Sequence, residues 1–72
     1  MKNIGIKTRG TVTEALPSLS FRVELEDGSN ILAYMAGRLR RHRIKILIGD
    51  SVTVELSPYD KTRGRIVWRG KK

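Results

Sequence analysis

The chain has 72 residues, no cysteine, and 15 Lys and Arg residues against 7 Asp and Glu, for a formal net charge of +8. A chain of this length is expected to form one domain, so we treat residues 1–72 as a single unit. The lack of cysteine excludes disulfides and thiolate metal ligands. The first residues contain neither a long apolar run nor a small-residue cleavage pattern, and we therefore expect no signal peptide and no membrane span.

The positive charge is concentrated in two segments, Arg38 to Lys45 and Lys61 to Lys72. No acidic residue lies between Gly28 and Gly49, and none follows Asp60. A basic excess of this size in a folded domain indicates a polyanionic partner, most commonly a nucleic acid. One basic run is often only a solvated surface, but two runs in one small domain favour a single binding surface made from both.

Alternating apolar residues predict that the chain is built mainly of β-strands. A first strand is predicted from Ile6 to Leu16, with a bend near Gly10, because a glycine inside a long strand often marks a bulge. The second strand places four apolar residues on one face, namely Leu19, Phe21, Val23 and Leu25. Asp27 and Gly28 follow directly and predict a tight two-residue hairpin turn.

The third strand returns from this turn with Ile31, Ala33 and Met35 on one face and Tyr34 on the other. The pattern changes at Gly37, since residues 38–43 contain good helix formers but a single apolar residue. We expect a short helical turn there, laid over the core rather than part of it.

Two more strands follow the turn at Gly49 and Asp50. The fourth is predicted around Val52, Val54 and Leu56, and the fifth runs from Arg65 to Arg69. Five strands with a short helical turn between the third and fourth are the layout of an all-β, five-stranded Greek-key OB-fold barrel. An SH3-like barrel has a similar number of strands, and the strand pattern alone does not separate the two.

Catalytic groups are scarce in this sequence. The single histidine, His42, lies among arginines, and no serine or cysteine nucleophile has an evident base. One histidine without cysteine does not make a zinc site, and Glu24 and Glu26 share the solvent face of a strand. We therefore expect no enzyme activity, no metal and no cofactor.

Alternation along the fifth strand predicts that Arg65 and Arg69 project together from the barrel wall, with Trp68 on the inner face beside the core. Phe21 is likewise predicted to be a core residue. The two arginines could contact phosphates and stack on bases, or could simply be edge-strand charges that prevent aggregation. Tyr34, on the outer face of its strand, could present a stacking surface.

Three long segments resemble bacterial and plastid translation initiation factor 1. They are GTVTEALPSLSFRVELEDG at residues 10–28, AGRLRRHRIKILIGDSVTVELSPYD at residues 36–60, and TRGRIVWR at residues 62–69. The resemblance implies an OB-fold, monomeric when free, that binds the A site, the decoding region of the small ribosomal subunit. It also implies contacts with 16S-type ribosomal RNA and small-subunit protein S12, and a cytoplasmic location or, alternatively, the plastid stroma. In this family the bound factor blocks elongator tRNA and assists initiation factors 2 and 3 in selecting initiator tRNA.

The resemblance also implies RNA contacts for particular residues. The predicted RNA-binding set is Arg38, Arg40, Arg41, Arg43, Lys45, Arg65, Arg69 and Tyr34. Arg43 stands where many members have an aromatic residue, and Tyr34 where histidine is frequent. The basic N-terminal residues Lys2, Lys7 and Arg9 replace a region that is often acidic in the family. The alternative functions are a general RNA chaperone, a permanent ribosomal protein, an archaeal or eukaryotic type 1A factor, and a small nuclease.

Overall fold

A computed structural model describes residues 6–41 and 45–70 and, of Arg38, the backbone alone. The elements in chain order are β1 (Lys7–Leu16), β2 (Ser20–Leu25), β3 (Asn30–Met35), α1 (Gly37–Arg41), β4 (Ser51–Leu56) and β5 (Arg63–Arg69). The strands close into a barrel in the order β1, β2, β3, β5, β4. The five predicted strands and the helical turn between the third and fourth are confirmed.

The strand directions assign each connection to one end of the barrel. All neighbouring strands are antiparallel except β3 and β5, which are parallel. Strands β1, β3 and β5 therefore all finish at the same end, where α1 and residues 45–50 also lie, and we call it the helix end. The turns at residues 26–29 and 57–62 lie at the opposite end, which we call the hairpin end.

The core fills the barrel with apolar side chains from every strand. Six of them are essentially inaccessible to solvent: Val12, Val23, Ala33, Val52, Val54 and Ile66. Leu39 of α1 and Ile46 of the following segment are also buried and belong to the same cluster, so the short helix contributes one apolar side chain to the core. Phe21 is buried as predicted.

The bulge in β1 lies at Thr13 and not near Gly10, where the sequence predicted a bend. Val12 pairs with Val23 and Glu14 pairs with Arg22, which leaves Thr13 as the extra residue. Gly10 instead permits a close approach of two strands. A Cβ atom added to Gly10 would lie 2.6 Å from Cγ1 of Val23 and 2.8 Å from the carbonyl oxygen of Glu24.

Leu19 was predicted on the inner face of β2, and this prediction was wrong. Ser18 and Leu19 have φ angles of 64° and 56°, so both belong to the turn that precedes the strand. Leu19 is half exposed, while Ser20, the first residue of β2, is buried. The hydroxyl of Ser20 donates a hydrogen bond to the carbonyl oxygen of Pro17 at 2.6 Å, which satisfies its polar group.

The connection between β2 and β3 is four residues long, from Glu26 to Ser29, and is not the two-residue turn that Asp27 and Gly28 predicted. Gly28 has a φ of 92°, which glycine adopts without strain. The carboxylate of Asp27 accepts hydrogen bonds from the hydroxyl and the amide of Ser29, and these bonds lower the pKa of Asp27. The Asp-Gly pair therefore predicts the position of the hairpin correctly. The length of the turn differs, because the turn also includes Glu26 and Ser29, and Ser29 is hydrogen-bonded to Asp27.

Trp68 was predicted in the core, and this prediction was also wrong, since 43% of Trp68 is exposed. The β4–β5 ladder contains a register shift: Val54 pairs with Ile66, whereas Thr53 pairs with Trp68. Val67 is the extra residue. Because Thr53 lies on the opposite face of β4 from Val54, Trp68 lies on the outer face of the barrel.

Candidate nucleic-acid interface

Four cationic side chains lie at the helix end of the barrel. Arg40 and Arg41 are on α1, Lys45 follows it, and Arg69 ends β5; all four are exposed. We call them the helix-end cations. Within residues 6–41 and 45–70, none of the four forms an ion pair with an acidic residue, because the ion pairs there involve other arginines.

Backbone contacts hold α1 against β5. The amide of Ala36 donates to the carbonyl oxygen of Ile66 at 2.9 Å, directly before the helix begins. Leu39 is buried one turn later, while its neighbour Arg40 is exposed. A single apolar residue among arginines therefore anchors the helix and directs its charges outwards.

No acidic residue in the first turn of α1 offsets this charge. The nearest carboxylate in the chain after the helix is that of Asp50, which accepts a hydrogen bond from the amide of Leu47 at 2.9 Å and so shapes the turn before β4. Clustered like charges repel one another until an anion binds between them. The helix end is therefore suited to a polyanion.

A second candidate surface is the outer face of β3, β5, β4 and β1, which we call the outer wall. Tyr34 pairs with Arg65, Arg65 with Glu55, and Glu55 with Lys7. Residues that are directly opposite in neighbouring strands point to the same face. These four side chains therefore form one row across four strands, and 38% of Tyr34 is exposed.

A second row on the outer wall contains Trp68, Thr53 and Arg9, which pair across β5, β4 and β1. The outer wall therefore carries two partly exposed aromatic rings, Tyr34 and Trp68, among cationic residues. Trp68 was not predicted as a contact from the sequence, because only the bulge at Val67 turns its side chain outwards. Aromatic rings beside cations are the usual means of holding unstacked bases.

Arg65 and Arg69 do not project together, contrary to the prediction. Arg65 pairs with Glu55 on the outer face, whereas Arg69 pairs with Val52, a fully buried residue, at the end of the ladder. The extra residue Val67 reverses the alternation between them. Arg65 therefore belongs to the outer wall, and Arg69 belongs to the helix end.

Arg65 is held by an ion pair within the wall. Its Nη2 and Nε atoms donate to Oε1 of Glu55 at 3.0 Å and 3.3 Å. The side chain of Arg65 is 61% exposed, while that of Glu55 is 17% exposed. Because solvent screens an exposed pair, its main effect is to orient the guanidinium group rather than to stabilise the fold.

The basic C-terminal segment is divided along β5 rather than gathered at one place. Lys61 and Arg63 lie at the hairpin end, where Nε of Arg63 pairs with Oδ2 of Asp60 at 3.6 Å. Arg69 lies at the other end, roughly 20 Å away at about 3.3 Å per strand residue. Only the later part of this segment therefore adjoins the helix-end cations.

The remaining predicted RNA contacts are incompletely described. The backbone of Arg38 is part of α1, and Arg43 lies outside the described residues, as does His42. Within residues 6–41 and 45–70, no group of three or more His, Cys, Asp or Glu side chains could hold a metal ion. The one helix of this part of the chain is too short and too polar to cross a membrane.

Comparison with known proteins identifies the family. The family model for translation initiation factor 1A / IF-1 matches residues 2–72. The barrel is similar to the solution structure of translation initiation factor 1 from the Wolbachia endosymbiont of Brugia malayi, with a TM-score of 0.76 and 43% identity over 92% of this chain and 78% of that one. It is also similar to the crystal structure of YjeQ from Thermotoga maritima, with a TM-score of 0.73 and 29% identity over 93% of this chain. This chain spans only 23% of YjeQ, so that likeness concerns one part of a longer protein.

The family match covers almost the whole chain, and the five-stranded barrel of this chain aligns with the initiation factor 1 structure over 92% of its length. These findings select the OB-fold over the SH3-like alternative. The chain belongs to the translation initiation factor 1A / IF-1 family and acts in translation initiation.

Proposed function

We propose that this protein binds the decoding region of the small ribosomal subunit, at the A site, and keeps elongator tRNA out while initiator tRNA is selected. Membership of the family supports the role in initiation. The observation that carries the RNA-binding part is the group of helix-end cations, Arg40, Arg41, Lys45 and Arg69, which have no acidic partner among the described residues. Arg38 and Arg43 stay predicted contacts of the same loop.

Phosphate neutralisation would supply most of the affinity. Each cation that contacts a phosphate releases condensed counterions from the RNA, which makes binding stronger at low salt. The helix-end cations provide four such groups, and Arg65 on the outer wall provides a fifth. The planar guanidinium group of arginine can also donate two parallel hydrogen bonds to a phosphate or a base edge, which the ammonium group of lysine does not do.

The side chains of the outer wall would bind RNA bases that are unstacked from their neighbours. Tyr34 and Trp68 are 38% and 43% exposed, so each presents part of a ring to solvent. Recognition of folded RNA typically combines phosphate contacts with a few bases stacked on aromatic side chains. The protein would therefore recognise the shape of the decoding region together with a small number of extruded bases.

The size of the domain is compatible with exclusion of tRNA. Its principal extents are 32 × 28 × 26 Å, so a molecule bound at the A site would occupy space that the anticodon stem of a tRNA needs. Initiation factors 2 and 3 and small-subunit protein S12 are the proposed protein partners. We propose a non-catalytic, cofactor-independent role in the cytoplasm, or in the plastid stroma if the source is a plastid.

Competition with tRNA tests this proposal. Labelled protein would be bound to purified small subunits carrying messenger RNA and initiator tRNA, and the anticodon stem-loop of a matching elongator tRNA would then be titrated. We expect the apparent Kd of the protein to rise in proportion to the stem-loop concentration. Simultaneous binding of the two without competition would contradict A-site occupancy.

A second measurement separates the main alternative, a general RNA chaperone. Such a protein would bind unstructured oligonucleotides nearly as well as it binds subunits. We expect an excess of unstructured RNA to displace the labelled protein poorly from small subunits. Effective displacement would favour the chaperone function.

A further inference from the structure

We propose that Asp50 is a positioning residue that fixes Lys45 relative to Arg69, and that this fixed spacing lets the helix end discriminate folded RNA from unstructured RNA. This role rests on the proposed function, because it requires that the helix-end cations bind RNA. Asp50 would determine specificity through the cations that it positions and not through an RNA contact of its own.

The turn before β4 is closed by both the side chain and the backbone of Asp50. Its Oδ2 atom accepts a hydrogen bond from the amide of Leu47 at 2.9 Å, and its own amide donates to the carbonyl oxygen of Leu47 at 3.0 Å. Gly49, inside the turn, has a φ of 96°, which glycine adopts without strain. Ile46 is buried directly before Leu47, so the chain enters this turn from the core. Lys45, which is exposed, therefore leaves the barrel at a position that the turn determines.

The same corner of the chain is bonded to β1 and to the end of β5. The carbonyl oxygen of Asp50 accepts a hydrogen bond from the amide of Val12, in β1, at 3.0 Å. The carbonyl oxygen of the next residue, Ser51, accepts one from the amide of Gly70 at 2.6 Å. Gly70 directly follows Arg69, the last residue of β5. One corner therefore joins the turn that determines the position of Lys45 to the strand end that carries Arg69.

The side chain of Asp50 is the part of this corner that a substitution can remove. Among the bonds just described, only the one from the amide of Leu47 to Oδ2 uses a side chain. The backbone bonds to β1 and β5 can form with any residue at position 50. Asp50→Ala should therefore loosen the segment that carries Lys45 while the barrel stays folded.

A fixed spacing of cations favours an RNA whose phosphates are also fixed. Folded RNA cannot move its phosphates to meet a mobile cation, so ordering that cation on binding costs free energy. Unstructured RNA can adjust its backbone to the cation, and its binding depends mainly on the number of charges. Loss of the Asp50 carboxylate should therefore weaken binding to folded RNA more than binding to unstructured RNA.

The test compares the full chain with two variants, Asp50→Ala and Asp50→Asn. The affinity of each protein for purified small subunits would be divided by its affinity for an unstructured oligouridylate at the same salt concentration, and we call the quotient the selectivity ratio. Asp50→Ala should lower this ratio about 5-fold or more, because the cost of ordering is paid only with folded RNA. Asp50→Asn should keep it within about twofold of the parent value, because the amide oxygen accepts the same hydrogen bond. An unchanged ratio in Asp50→Ala, or an equal fall in both variants, would overturn the positioning role.

Two controls separate position from general loosening and from direct contact. Asp27→Ala removes the same charge and the same kind of bond, to the amide of Ser29 at 2.9 Å, from a turn at the hairpin end, and should leave the selectivity ratio unchanged. Lys45→Ala removes a proposed phosphate contact, so it should weaken binding to both RNAs. A fall in the ratio for Asp27→Ala as large as that for Asp50→Ala would overturn the inference.

Hydrogen exchange of the free protein gives a readout that needs no ribosome. Asp50→Ala should raise the exchange rate of the Leu47 amide about tenfold, as expected for loss of one hydrogen bond to a charged group. The exchange rate of the Val54 amide, in the core of β4, should not change. An unchanged rate at Leu47 would overturn the role of Asp50.

Failure of this inference can be distinguished from failure of the proposed function. If the parent protein competes with elongator tRNA on small subunits but the selectivity ratio survives Asp50→Ala, only the role of Asp50 fails. If the ratio falls and the Leu47 amide exchanges faster but the parent protein does not compete with elongator tRNA, Asp50 stands as a positioning residue and A-site binding fails.

Discussion

Trp68 lies opposite Thr53 across the β4–β5 pair. An unbroken ladder continuing from the Val54–Ile66 pair would place Val67 opposite Thr53 instead, so the register is shifted by one residue. This one-residue shift moves an indole ring from the core to the outer wall. It also separates Arg65 from Arg69, so that one arginine joins the aromatic rings and the other joins the helix-end cations. The division of the interface into two parts therefore depends on a single bulge.

The bulge predicts different stability effects for neighbouring residues of β5. Ile66 is fully buried, so Ile66→Ala should lower the free energy of unfolding by about 2–5 kcal/mol through lost packing and a cavity. Trp68→Tyr, on the outer wall, should change it by no more than about 0.5 kcal/mol. Urea unfolding of both variants measures these values. A larger loss for Trp68→Tyr than for Ile66→Ala would place the indole in the core after all.

Gly10 should not tolerate a side chain. Gly10→Ala places a Cβ atom 2.6 Å from Cγ1 of Val23 and 2.8 Å from the carbonyl oxygen of Glu24, so β1 and β2 must separate. We expect a loss of about 1–3 kcal/mol in thermal or urea unfolding. Gly37→Ala is the matched control, since an added Cβ there meets nothing within 4 Å, and its stability should be unchanged or slightly raised. Equal effects of the two substitutions would mean that the close approach at Gly10 is absent.

Salt dependence should reveal the phosphate contacts. If the four helix-end cations and Arg65 each neutralise one phosphate, the slope of log K against log salt for small-subunit binding should be about −3.5 to −4.5. Arg40→Ala should reduce the magnitude of this slope by about one without lowering the melting temperature, because the side chain is exposed. Arg22→Ala serves as the control, since this arginine pairs with Glu14 at 3.1 Å on the β1–β2 side. A nearly flat salt response of the parent protein would contradict the electrostatic account.

Asp60 should contribute to stability at neutral pH and lose that contribution in acid. Hydrogen bonds from the hydroxyl and the amide of Thr62, with the nearby charge of Arg63, lower the pKa of Asp60 below its ordinary value of 3.8. A group whose pKa is lower in the folded state stabilises the fold above its unfolded pKa, and the effect disappears as pH falls through the folded pKa. The difference in unfolding free energy between the parent and Asp60→Asn should therefore shrink below pH 3.8. A difference that grows in acid would have the wrong sign.

The period-two pattern of the sequence identified all five strands because buried and exposed residues alternate in most of them. It failed at Leu19, Thr13 and Trp68 for a common reason. A turn with two positive φ angles and two single-residue bulges each shift the alternation by one residue, and no side chain near them signals the shift. These features arise from barrel closure, which requires the strands to bend.

The site was predicted in part. The exposure of Arg40, Arg41 and Lys45 follows from a helical turn with only one apolar residue, and the outward face of Tyr34 follows from its position in the alternating pattern of β3. The pairing of Arg65 with Glu55 could not be predicted, because it depends on the register between β4 and β5. The exposed face of Trp68 depends on the same register, which local sequence does not encode.

Chemical footprinting of small-subunit RNA, with and without the protein, tests the central claim most directly. We expect protection of the decoding-region adenines and of the nearby RNA backbone. That protection should weaken in Arg40→Ala and persist in Arg22→Ala. Protection confined to other regions of the RNA, or an unchanged footprint in Arg40→Ala, would contradict the assignment of the helix end to the A site.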